Sequence, residues 1–391
     1  MATKEKNALV KENWQNHFTL IGTPKISDFT YKIDAKSEKS SWVYNNLNLG
    51  IDCGEKHGTV YCELMGGYSD ERENVIYAHG KREDGTDDFS VKMEIAWEDR
   101  FDESILEEVG DMCFITIGLE KTDKGKTYYK KFLSAYDAIA YVQEHLTSEM
   151  VVNVKGNLKY STYNDRTQIR KTINSIVLST KEDPSDFKAV FTQTILLDKD
   201  SATKENIDKE KGAMYVNARV LDYVKEYNGV EVKGNFPFPV QFEFVMDLSK
   251  PEQCKKIIDK VFKVKKGVTQ ETFEGEFVES GAVVQTTVDD LPEELKELMS
   301  LGLYTEEQAL AKCSTNGNKE RRMILCRPVF KMVGDEEKMP VLQKFEEKFD
   351  EEDLVLDCMT KNINDEQIPW EEDESESSDN DDAMSWLDSL E

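Results

Sequence analysis

From Trp42 onward the chain is written in period two, and that rhythm commits it to sheets more firmly than any other feature. WVYNNLNLGIDC sets Val43, Leu47, Leu49 and Ile51 on one side and Trp42, Tyr44, Asn46 and Asn48 on the other. TVYCELMGG follows after the turn-rich spacer GEKHG, with Val60, Cys62 and Leu64 alternating against Tyr61 and Glu63. The two runs predict a hairpin with one core face and one polar face dotted with rings.

Further on, CFITIGLE predicts a third, buried strand. SAYDAIAYVQEHL has the spacing of a helix at Tyr136, Ile139, Ala140 and Val142, and VVNVKGNLKYS and TQIRKTINSIVLS read as two more strands. The same order then recurs. FKAVFTQTILLD is a strand, GAMYVNARVLDYVKEY and VEVKGNFPFPVQFEFVMD form a long hairpin around Asn228-Gly229, and KPEQCKKIIDKVF is a helix. QETFEGEFVES and AVVQTTV close the second unit as strands, and both units carry a glycine in the strand after the helix, VKGNLKY and FEGEFVE. Past Asp289 the pattern predicts helices at LPEELKELMS and EEQALAKC, a strand at RRMILCRPVFKMV and a charged helix near 340–349.

Five strands with a helix between the third and fourth is the order of the oligonucleotide-binding (OB) fold, a small and partly open barrel. The expected fold class is therefore mainly β (α+β), with two tandem OB-like five-stranded barrels, a small helical C-terminal region and a disordered acidic tail. The expected divisions are a leader over 1–30, a first barrel over 31–182 with an acidic insertion at 68–111, and a second barrel over 183–288. A helix and strand region over 289–349 and the tail over 350–391 complete the chain.

Composition matters mainly through where the charge sits. The 391 residues carry 78 Asp and Glu against 50 Lys and Arg, a formal charge of −28. Glu371 to Glu391 holds ten acidic and no basic residues, whereas Lys121 to Lys181 holds eleven basic and five acidic ones. A mildly acidic body with one basic region thus precedes a strongly acidic end. That end, rich in serine and acid, lacks the apolar period needed to offset chain ordering, and Met384, Trp386, Leu387 and Leu390 stand in it as an apolar tip suited to docking on a partner. No run has the length of a membrane span or of a signal peptide. Seven scattered cysteines without a Cys-x-x-Cys point to reduced thiols and a cytoplasmic setting.

Binding a single strand requires cations for phosphates and flat faces for bases. On the strand from Ala213, alternation turns Met214, Val216, Ala218, Val220 and Val224 inward and leaves Tyr215, Asn217, Arg219, Tyr223, Lys225 and Tyr227 outside. In the first unit Trp42, Tyr44 and Tyr61 serve as rings. Lys126, Lys130, Lys131, Lys155, Lys159, Arg166, Arg170 and Lys171 are the expected phosphate ligands, with Tyr128, Tyr129 and Tyr163 near them. For any one of these residues β-propensity or edge protection is a competing explanation. Their coincidence on one face is what points to a stacking groove.

WVYNNLNLGI, the helix SAYDAIAYVQEHL running into VVNVKGNLKYS, MYVNARVLDYVKEYNGVEVKGN and the acidic end with its apolar tip together resemble phage-encoded single-stranded DNA-binding proteins. The resemblance covers most of residues 30–290 plus the tail. It implies sequence-independent binding of single-stranded DNA in phage replication and recombination inside a bacterial host, no cofactor, and a tail that recruits replication and recombination proteins. The tail departs from the bacterial pattern of a terminal Pro-Phe, ending Leu390-Glu391.

Enzyme signatures are not found. Cys53, His57 and Cys62 offer three zinc ligands without a fourth, so two buried cysteines of a hairpin are the expected reading and no metal is expected. The Gly-Lys-Thr at 125–127 lacks the first glycine of a phosphate loop and sits in a hairpin turn. Two rival functions stand beside DNA binding. One is a virion or baseplate structural protein, which leaves the basic 121–181 region unexplained. The other is an acidic DNA mimic, which needs its acids spaced on a rigid surface.

Overall fold

The computed structural model describes residues 9–163, 166–227, 229–280, 296, 299, 320–333 and 339–360. The first half of the chain opens with β1 (Asn16–Lys25), β2 (Tyr31–Lys36), β3 (Trp42–Asp52) and β4 (Thr59–Ser69). A hairpin of β5 (Val75–Lys81) and β6 (Asp87–Ala96), helix α1 (Glu103–Glu108) and a second hairpin of β7 (Ile115–Lys121) and β8 (Thr127–Phe132) come next. Helix α2 (Ala135–His145) leads into the long pair β9 (Val152–Tyr163) and β10 (Arg166–Leu178).

Strand pairing closes this half into a barrel. β1 bonds β9 through residues 17–22 and β3 through residues 23–25, and β3 runs the length of β4. β4 meets β10 in parallel at Glu63 and Thr172, and β10 returns antiparallel along β9. Alternation holds as read: Val43, Leu47, Leu49, Ile51, Val60, Cys62 and Leu64 are buried, while Tyr61 and Met65 face solvent. α2 starts where the Ser134 side chain accepts from the Tyr136 amide, and it buries Ala138, Ile139, Tyr141 and Val142 against the barrel core.

The second half repeats the circuit with β11 (Lys188–Leu197), the short β12 (Ile207–Asp208), β13 (Ala213–Tyr227) and β14 (Val230–Val245). Helix α3 (Pro251–Ile257), β15 (Val268–Ser280) and β16 (Glu320–Pro328) complete it. β11 pairs β13 and β15, β13 pairs β14, β15 pairs β16, and β14 meets β16 in parallel at Glu243 and Ile324. Both halves therefore have the OB-like order, with the helix between the third and fourth barrel strands and one parallel contact that seals the wall. The hairpin of β17 (Phe330–Val333) and β18 (Met339–Leu342) follows, and β19 (Lys344–Phe349) adds to β15.

The two barrels are joined by their first strands. β1 and β11 pair antiparallel with Phe18 opposite Phe191, while Phe18 is also opposite Gly156 and Phe191 opposite Gly275. The row Gly156, Phe18, Phe191, Gly275 is palindromic, so the two halves meet about a local two-fold axis between the phenylalanines. The glycines noted in the sequence after each helix are the beds for these rings. A Cβ on Gly156 would fall 2.7 Å from Phe18 and 1.9 Å from the Thr172 carbonyl, and one on Gly275 would fall 2.2 Å from Phe191. One apolar core then runs continuously through both barrels.

Several sequence expectations give way here. The leader over 1–30 is part of the first barrel: Asn16–Lys25 is its first strand, paired on one edge with β9 and on the other with β11, strands too distant in the sequence for a local pattern to reveal. CFITIGLE becomes β7 of the inserted hairpin rather than a third barrel strand. The insertion reaches past 111 and carries its own small core of Ile95, Val109 and Phe114. The strand that closes the second barrel is β16, so that barrel extends beyond residue 288; AVVQTTV, EEQALAKC and all of LPEELKELMS except Lys296 and Met299, which are helical, lie outside the described residues, as does Asn228 of the expected turn. The charged helix expected near 340–349 is strand, because β15 offers Phe349, Phe345 and Lys344 an edge to pair with. The tail expected from 350 begins later, since Leu354 and Cys358 are buried. Leu354 joins Leu9, Leu196, Leu221, Val268 and Phe349 in a second apolar cluster, so both ends of the described chain cover the outer wall of the second barrel.

Among the described residues no helix is long and apolar enough to cross a membrane. One buried carboxylate makes stability depend on pH. Glu271 on β15 is fully buried, 3.2 Å from Lys344 Nζ, and burial pushes its carboxyl up to about 7. Between the ordinary glutamate value and about 7 the unfolded chain ionises while the folded carboxyl keeps its proton, so stability falls over that window by roughly 3 kcal/mol and is level above it. Melting temperatures measured from about pH 4.5 to 8 should show this decline, and Glu271→Gln should flatten it. Gly156→Ala and Gly275→Ala should each lower unfolding free energy by on the order of 3 kcal/mol in urea titrations, since a methyl there displaces Phe18 or Phe191.

Candidate nucleic-acid interface

Opposite residues in an antiparallel ladder share a face, so register locates the site without further assumption. Arg166 lies opposite Tyr163, Gln168 opposite Ser161, Arg170 opposite Lys159 and Thr172 opposite Asn157. These are the outward positions of β9, whose inward residues Val152, Val154, Leu158 and Tyr160 are buried. In the parallel contact Thr172 meets Glu63, which brings Arg170 level with Tyr61 on β4. Tyr61 and Tyr163 are 43% and 41% exposed. Lys155 continues the outer stripe opposite Thr19. Neither Lys155 nor Arg166 has a carboxylate at ion-pair distance among the described residues.

One buried carboxylate of the second barrel reaches this wall. Asp222 on β13 is buried and accepts from the Tyr160 amide at 3.0 Å and from Lys11 Nζ at 2.9 Å, with Lys159 Nζ 3.9 Å away. The adjacent Tyr223 is 57% exposed. Asp222 thus ties β13 to β9, and Tyr223, the next residue on the strand, points to the opposite face. Tyr61 and Tyr163 form one neighbourhood with Lys159, Arg166 and Arg170, drawn from β4, β9 and β10.

Arg170 is held loosely. Its Nε lies 3.7 Å from Glu63 Oε1, and burial raises the Glu63 carboxyl above its usual range although Arg170 and Lys171 pull it down. Lys171 plays another part. It faces inward opposite Leu158, bonds Glu279 of the second barrel at 2.7 Å and lies 4.7 Å over the Phe277 ring, with 12% of its side chain exposed. Consecutive residues on a strand point to opposite faces, so Arg170 and Lys171 cannot share a role.

The other expected residues fall in three places. Trp42 and Tyr44 are half-buried on the outer face of β3, with Tyr44 opposite Gly67. Six positions along the ladder put Tyr44 about 20 Å from Tyr61, with Asn46 and Asn48 between them. Tyr128, Tyr129, Lys126, Lys130 and Lys131 are exposed on the β7–β8 hairpin, which joins β10 at residues 175–177. That junction is about 30 Å along β10 from Arg166, so this group is separate from the cluster. Lys131 is paired with Asp111 at 3.0 Å, and Lys130 lies 4.6 Å over the Tyr141 ring. On β13, Tyr215 is half-buried opposite Glu243, which Arg322 neutralises, and Arg219 lines a cavity of about 510 Å³ with Asp198 and Asp200. A bulge between Val224 and Glu226 leaves Lys225 exposed and turns Tyr227 to the core, where its ring stacks on Phe236 at 4.3 Å. Strict alternation does not foresee a bulge, and Tyr227 is accordingly a structural residue. Met384, Trp386, Leu387 and Leu390 lie outside the described residues.

Sequence reasoning missed three polar groups on the same face, His17, Asn157 and Gln168. His17 Nδ1 lies 3.0 Å from Asn157 Oδ1, and the pairing of β1 with β9 was the signal needed to find them. The cysteine and histidine group of the first hairpin is used structurally. His57 Nδ1 donates to the Phe277 carbonyl at 2.8 Å, and burial pushes the Cys53 thiol up to about 12 and that of Cys62 higher still.

A family model described as YorF matches residues 114–289, less than half of the chain. No curated protein matches. Among solved structures the chain is similar to a deletion mutant of the single-stranded DNA-binding protein from Thermus aquaticus, at 9% identity and a TM-score of 0.30, over 68% of this chain and 88% of that one.

The split between Arg170 and Lys171 is open to measurement. Arg170→Ala should elute earlier from a phosphocellulose column with an unchanged melting temperature. Lys171→Ala should melt earlier and elute as before, because it takes from the buried Glu279 its close partner and leaves only Arg321 at 4.0 Å.

Proposed function

We propose that the protein binds single-stranded DNA without sequence preference, along the outer wall of the first barrel. The observation that carries this reading is two exposed tyrosines, Tyr61 and Tyr163, interleaved on one face with Lys159, Arg166 and Arg170. Rings accept the faces of any base, and cations follow the phosphates. The geometry fits binding better than catalysis, so in this proposal the protein is not an enzyme. The setting of phage replication and recombination in a bacterial cytoplasm belongs to the same proposal, as does recruitment of partners by the acidic end.

Fluorescence anisotropy with labelled oligo-dT provides the test. Affinity should fall steeply with salt as counterions are released, and Arg170→Ala should reduce the logarithmic salt slope by about 0.7. Tyr61→Ala and Tyr163→Ala should each weaken binding by roughly 1–3 kcal/mol while leaving the melting temperature nearly unchanged. Removing residues 371–391 should leave the affinity equal or higher, because those acids compete with DNA for the same cations. Failure to retain oligo-dT at low salt overturns the reading.

A further inference from the structure

The inserted β5–β6 unit carries a cluster that DNA binding does not use. His79 on β5 has its Nε2 2.7 Å from Asp87 Oδ1 on β6, and its Nδ1 3.2 Å from the sulfur of Cys113. A carboxylate has no proton to give, so Nε2 donates to Asp87 and Nδ1 turns its lone pair to the thiol. Asp87 is fixed in turn by the Met112 amide at 3.1 Å, and the His79 amide points at the Cys113 sulfur at 3.4 Å. The 110–113 turn can press this close only because residue 110 is glycine: a Cβ there would fall 2.3 Å from Asp87 Oδ1 and 2.6 Å from His79 Nε2. Phe89 packs on the imidazole with ring centroids 4.4 Å apart. The sequence shows only dispersed histidines, and the hairpin brings positions 79, 87 and 113 together.

We propose that Cys113 is a reactive thiolate site, activated by His79 and oriented by Asp87, whose substrate class is small hydroperoxides. A proton passes from Sγ to Nδ1, giving a thiolate beside an imidazolium. The sulfur then attacks one oxygen of hydrogen peroxide; an S–O bond forms and the O–O bond breaks. Sulfur loses two electrons to become a sulfenic acid, and the departing hydroxide takes the imidazolium proton to leave as water. Acyl transfer does not fit the site, because an oxyanion needs nearby amide donors that are not otherwise engaged. Here the Gly110 amide bonds the His79 carbonyl, that of Cys113 bonds Gly110, and that of Phe114 bonds Asp111. The charged groups around the site are Asp87, Asp88 with Arg82 3.9 Å from it, Lys92 opposite His79, and Asp111, which pairs with both Lys81 and Lys131.

The experiment uses the full chain and its own thiols as references. Peptide-resolved labelling by iodoacetamide between about pH 6 and 9 should modify Cys113 about tenfold faster than the exposed Cys326 near pH 6.5, because only the thiolate reacts. His79→Gln should slow Cys113 about tenfold and leave Cys326 unchanged, while Asp87→Asn, which keeps an acceptor at the same place, should slow it less. Dimedone added with hydrogen peroxide should trap the sulfenic acid at Cys113. Equal labelling rates at the two cysteines, or an unchanged Cys113 rate in His79→Gln with native circular dichroism, overturns the proposal. So does a dimedone adduct at Cys326 without one at Cys113.

Discussion

The pairing of β1 with β11 is the constraint on which the rest of the molecule depends. A five-stranded barrel of this kind leaves one edge of its first strand half open, and here each barrel closes the other's edge. Phe18 against Phe191, with a glycine beyond each, lets two rings lie over the inner face without a side chain beneath them. The contact is isologous within a single chain, so the same patch meets itself about a local axis as it would in a symmetric dimer. Two small cores become one, and a larger core is easier to stabilise than two separate ones.

The same symmetry makes the difference between the barrels informative. Aligned on Gly156 and Gly275, the outer positions of the fourth strand carry Lys155, Asn157 and Lys159 in the first barrel but Glu274, Glu276 and Val278 in the second, where Arg327 and Lys56 pair with the two acids. The outer wall of the second barrel is further covered by the segments around Leu9 and Leu354. A chain of net negative charge can in this way keep one cationic wall, because the field near a surface follows local charge within about a Debye length. Duplication supplied two faces, and only one was left open.

Much of this was legible in the residues. The hairpin from Trp42 to Ser69, helix α2, the long β13–β14 hairpin and the two glycines after the helices all follow from alternation, helical spacing and turn chemistry. The outward set of Tyr61, Lys159, Tyr163, Arg166 and Arg170 was also readable, since each sits in a run with regular period two. Tyr227 was not, because a bulge resets the parity of β13 after Val224. Lys171 was misplaced because a basic stretch says nothing of which cation faces a carboxylate 108 residues away in sequence. The 340–349 segment reads as a charged helix until the free edge of β15 is present to pair with it.

The sequence by itself determined that this chain is β-rich, that it contains two units with a helix before the fourth barrel strand, and that its cations are concentrated in one region. Those properties are local: period, turns and composition act over a few residues. Tertiary structure alone decided that β1 starts the first barrel, that β16 closes the second, and that Arg170 stands level with Tyr61. These depend on pairing between strands far apart in the chain. Such pairing is set by which edges remain unsatisfied once the local elements have formed.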